Sequence, residues 1–72
     1  MARKVSLPAL REMIESKAAE TTLADSQYDY GHVNGWLDAL HWAEEIDSPA
    51  LYELRDVAKV AFESAVSDLQ AG

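Results

Sequence analysis

Between Tyr28 and Trp42 the chain carries a strongly helical, aromatic-rich run that contains two glycines four residues apart, Gly31 and Gly35. Residues at that spacing stack on one face of a helix. Gly31, Gly35 and Ala39 therefore form a small-residue stripe, which Tyr28, Trp42 and Ile46 continue. Val33, Trp36, Leu37 and Leu40 make a second apolar face, and only Asn34, Asp38, His41 and Glu45 leave a continuous polar strip. A helix apolar on nearly every side belongs in the middle of a bundle. Each interior glycine costs an exposed helix about 1 kcal/mol relative to alanine, so two of them imply a close approach by another backbone, side chain or ligand. The stripe reads as a contact surface, packed either within the chain or between subunits in a dimer crossing.

The flanking segments supply two more helices. Ser6-Leu7-Pro8 is a helix start, with a hydroxyl for the free amides of the first turn and a proline where no donor is needed. Leu7, Leu10, Ile14 and Ala18 recur at helical spacing, broadened by Met13, which predicts a first helix over 7–19. Thr21 and Thr22 interrupt it, and Thr22 with Asp25 three residues on makes a short form of the capping box. The second helix is then expected over 23–46, about 24 residues or 36 Å at 1.5 Å per residue, as the long central element. Asp47-Ser48-Pro49 restarts the chain, with Ser48 as the cap and Pro49 first in the helix. Leu51, Leu54, Ala58, Ala61, Ala65 and Leu69 define the inward face of a third helix over 49–69, flanked by Val57 and Phe62.

The expected fold is all-α: a compact three-helix bundle or helical hairpin, in one domain spanning residues 1–72. A chain of 72 residues buries only about 60% of the surface its unfolded state exposes, so a core of this size usually needs a supplement. With no cysteine, neither disulfides nor cysteine-type zinc sites supply it. Homo-oligomerisation is the remaining common supplement. Trp36 and Trp42, six residues and about 240° apart on a helix, point the same way, because one small core does not easily cover both. The lack of cysteine agrees with a reducing cytoplasm. Arg3 and Lys4 precede no apolar run of a secretory signal, and no stretch is apolar enough to span a membrane.

Thirteen acidic residues against six basic give a net charge of −7, which repels nucleic-acid backbones and anionic lipid surfaces. The acidity reads either as a solvated surface or as an attractor for a basic partner. Asp38, His41 and Glu45 project from one strip, and Asp38 to His41 has the spacing of the carboxylate-x-x-His element of di-iron bundles with aspartate in place of glutamate. Such sites need inward carboxylates from other helices, so this strip reads as an acidic solvent face and neither metal nor cofactor is expected. His32 lies near Asp29 and Trp36 and reads as a hydrogen-bonded or stacked side chain. No nucleophile elbow, phosphate loop or cysteine nucleophile is present, which argues against an enzyme.

The Tyr28-x-x-Gly31-x-x-x-Gly35-Trp36-x-x-Ala39-Leu40-x-Trp42 segment, about a fifth of the chain, resembles small helical proteins encoded by bacteriophages and other mobile elements. That resemblance implies an accessory or counter-defence protein that blocks a host machine by stoichiometric binding, as anti-CRISPR proteins do. It carries no site residues across. From the residues themselves, tryptophan and tyrosine are typical hot-spot anchors, so Trp36, Trp42, Tyr28 and His32 are the candidate partner-binding set. Trp36 is favoured over Trp42, which shares the stripe. The expected function is a protein-binding inhibitor or adaptor. Two alternatives are an acidic nucleic-acid mimic that occupies a basic groove, and a small-ligand sponge walled by Tyr28, His32, Trp36 or Trp42 at a subunit interface.

Overall fold

Three local stop and start signals divide the chain into three helices. The computed structural model describes residues 6–71, with α1 over Leu7–Glu20, α2 over Ser26–Trp42 and α3 over Ser48–Ala71. Arg3 and Lys4 lie outside the described residues. The Ser6 hydroxyl accepts from the Ala9 amide at 3.4 Å, with Pro8 in the first turn. At the other end of α1 the Thr21 amide closes on the Ala18 carbonyl, and α2 begins at Ser26, three residues later than expected, with Asp25 and not Thr22 at its N-cap. The Thr22 hydroxyl instead accepts from the Asp25 amide at 3.1 Å and contacts the Asp25 carboxylate, holding the turn that precedes α2.

The core is one cluster built on α3. Leu10, Ile14 and Ala18 from α1, Val33 and Leu37 from α2, and Leu51, Leu54, Ala58 and Phe62 from α3 are all buried. α3 packs along both other helices, which meet each other less extensively. It is also the longest, at 24 residues against 17 for α2, so the organising helix is the third and not the second. Phe62, expected to flank the inward face, sits within it and stacks at a tilt on Tyr30, with ring centroids 5.6 Å apart. Leu7, expected on the inward face of α1, Met13 beside it and Leu69 near the end of α3 are all exposed.

The second helix stops at Trp42, four residues short of the expected end. The Glu44 amide bonds to the His41 carbonyl and the Glu45 amide to the Leu40 carbonyl, the paired pattern of a Schellman turn. Its left-handed position is filled by Glu44 at φ 64°, where glycine is usual. Had the helix run on, Ile46 would have continued the outward stripe. The turn instead brings Ile46 into the core, 6% exposed. Burying an isoleucine is worth about 1.5–3 kcal/mol and a left-handed residue with a side chain costs about 1–2 kcal/mol, so ending the helix wins. α3 then begins one residue earlier than expected: the cap is Asp47, whose Oδ1 accepts from the Ala50 amide at 3.0 Å, and Ser48 and Pro49 are already helical.

Candidate docking surface on the second helix

Val33 and Leu37 fix the rotation of α2 by facing the core, which sends residues half a turn away outward. Tyr28, Gly31, Gly35, Ala39 and Trp42 are accordingly all exposed, in a row directly opposite the buried pair. A Cβ built on either Gly31 or Gly35 meets nothing within 4 Å. Packing of this stripe against α1 or α3, one of the two expectations for the glycines, is therefore not what holds it. The stripe lies open along the helix, with Tyr28 75% exposed at one end and Trp42 89% exposed at the other.

The two tryptophans differ in exposure in the sense opposite to the expected one. Trp36 is half-buried, packed against the core, and lines a shallow notch with Met13, Lys17 and His32. Trp42 stands free at the last turn of α2, because the chain reverses immediately after it. His32 is exposed and stacks on Tyr28 one turn away, with centroids 6.3 Å apart, so these two rings form a single aromatic ledge at the N-terminal end of the stripe.

The polar strip is used within the fold. Asp38 pairs with Arg55 of α3, and the His41 Nε2 lies 3.0 Å from the Ser48 hydroxyl at the start of α3. Both contacts tie α2 to α3, so Asp38 and His41 are not simply solvated; Glu45 is half-buried in the intervening turn. Asn34, on the same strip, encloses its Oδ1 without a hydrogen-bond partner. At the opposite end of α2 the buried Thr21 hydroxyl donates to Asp29 Oδ2 at 2.7 Å, fastening α1 to α2.

The residues proposed as walls of a ligand site do not converge on one cavity. His32 and Trp36 share the notch beside Met13, while Trp42 borders a separate open hollow with His41, Glu44 and Asp47. An apolar groove of about 490 Å³ lies between α2 and α3 around Tyr30, Phe62 and Val66. None of those three was singled out in the sequence as a site residue. Of the residues beside Trp42, Glu44 was read as helical because the apolar pattern ran on to Ile46 without a glycine to mark the turn, and Asp47 only as part of the start of the third helix.

Compared with known protein families, curated proteins and solved structures, the chain finds no match. No helix among the described residues is long and apolar enough to cross a membrane.

Proposed function

We propose that this chain is a stoichiometric protein-binding inhibitor or adaptor that seats a partner protein on the outward face of α2. The observation that carries the reading is the open row from Tyr28 to Trp42. Two glycines there weaken the helix by about 1 kcal/mol each and are given no compensation by the chain's own packing. A partner backbone that approaches the glycines closely supplies the missing compensation. Trp42 and Tyr28 at the two ends are the side-chain types that anchor binding hot spots. Like the phage accessory proteins that its α2 segment resembles, the chain would act one-to-one on a protein of the cell in which it is made, in a cytoplasm where lack of cysteine carries no penalty.

The test is affinity capture from lysate of the cells that make the protein, with the wild type compared with Trp42→Ala and Gly35→Leu. Proteins retained by the wild type and lost by both variants support the docking face. Retention unchanged in both variants refutes it.

A nucleic-acid mimic is the second reading, favoured by the absence of any lysine or arginine between Lys17 and Arg55. It differs in outcome: the captured protein would be displaced by nucleic acid, and acidic reversals would matter more than Trp42.

A further inference from the structure

Charge along α2 is one-sided. Asp25 precedes its first turn, and Glu44, Glu45 and Asp47 follow its last. The helix and its flanking turns contain no lysine or arginine at all. Among the described residues, the cations of other elements are engaged or lie to the sides: Arg11 pairs with Glu15 along α1, Arg55 is held by Asp38, Lys17 borders the Trp36 notch, and Lys59 borders the Tyr30 groove. The stripe itself is uncharged. Its C-terminal end adds the negative pole of the helix dipole, equivalent to roughly half an elementary charge, next to the free indole of Trp42.

From this geometry, and resting on the docking face proposed above, we infer that the occupant of the stripe is a cationic amphipathic helix of another protein. Small or aliphatic side chains of that helix fill the Gly31–Gly35–Ala39 trough, and its lysine or arginine residues reach the acidic ends of α2. The trough runs from Tyr28 to Trp42, fifteen residues or about 21 Å end to end at 1.5 Å per step, long enough for four turns of a partner helix. Open Cβ positions at both glycines let its backbone approach closely, as small-residue crossings do. A guanidinium near Trp42 gains attraction from the indole face and from Glu44 and Asp47 together. A second copy of this chain fits the trough sterically but not electrically. In either orientation, crossing two α2 helices sets Asp25, Glu44, Glu45 and Asp47 against acidic counterparts, with no lysine or arginine of α2 or its flanking turns between them.

The probe is a capped synthetic helix of five turns with alanine and leucine on one face and arginine on both flanks. Two companion peptides replace every arginine with glutamine or with glutamate. Binding is read by anisotropy of labelled peptide at low and raised salt, with the full-length protein. The arginine peptide is expected to bind at least about tenfold more tightly than the glutamate peptide and to weaken as salt rises. Gly35→Leu and Trp42→Ala are each expected to lower its affinity by about tenfold or more while the circular dichroism melt stays cooperative. Equal binding of the three peptides, or binding of none, overturns the cationic occupant. So does a species of twice the 8.0 kDa chain mass in sedimentation that Gly35→Leu dissolves, which would make the occupant a second copy. If peptide charge is irrelevant but lysate capture still depends on Trp42 and Gly35, the docking face stands and only the cationic partner falls. If capture is indifferent to both residues, the functional proposal falls with it.

Discussion

Replacing Gly31 and Gly35 with alanine is expected to stabilise the fold and weaken the function. Both glycines are helical and exposed, and the added methyl groups meet open space, so no repacking offsets the gain in helix propensity of about 0.8–1.0 kcal/mol per site. The double variant gains about 2 kcal/mol, against a total stability of roughly 4–11 kcal/mol for a chain of this length. With an unfolding entropy near 2.1 cal/mol/K per residue, 72 residues give about 0.15 kcal/mol/K, and each substitution raises Tm by about 6 °C. Thermal melts followed by circular dichroism at several protein concentrations read this directly. An unchanged or lowered Tm would mean that the methyl groups meet something in solution. A covered stripe in the free protein would refute the open-face reasoning, and a Tm that also rose with protein concentration would identify the cover as a second copy.

Other consequences are local. Glu44→Gly places the residue that a left-handed position favours after α2 and is expected to stabilise by about 0.5–1 kcal/mol; urea unfolding checks it, and a loss would mean that the Glu44 side chain holds the turn. Trp36→Ala is expected to cost about 2–3 kcal/mol because the ring covers the core, whereas Trp42→Ala stays within about 0.5 kcal/mol of the wild type; the same unfolding curves separate the two. Thr21→Val removes the donor to Asp29 across the α1–α2 turn, at an expected cost of about 1–2 kcal/mol, and hydrogen exchange is expected to rise first in the opening turns of α2.

Much of the architecture is legible in the sequence because helix boundaries here have local causes. Ser6 with Pro8, and Thr22 with Asp25, signal their turns through short-range hydrogen bonds that any reader of the chain can place. Leu10, Ile14, Leu51, Leu54 and Ala58 follow from periodicity alone. The end of α2 does not, because a glutamate occupies the position where glycine would announce a C-terminal turn, and the cause lies in the distant demand of the core for Ile46. That same hidden turn reverses the reading of the tryptophans: with the helix ended, Trp42 is left standing at its tip. The small-residue stripe is visible in the sequence, but whether a neighbour covers it depends on the rotation of α2, which Val33 and Leu37 set only once α3 is in place. Asp38 and His41 look like a solvated strip for the same reason, since Arg55 and Ser48 reach them only across the α2–α3 contact.

The central claim is that the outward face of α2 recognises another protein, and quantitative affinity capture with surface-specific variants tests it most directly. Wild type, Gly35→Leu, Trp42→Ala and a control where α3 borders α1, Val60→Ala, are immobilised at equal density, and the retained proteins are compared by mass spectrometry at low and raised salt. The account predicts one set of proteins held by the wild type and by Val60→Ala and lost from both α2 variants, with each variant still folded by circular dichroism. Equal retention on all four surfaces, or loss only with Val60→Ala, would contradict it.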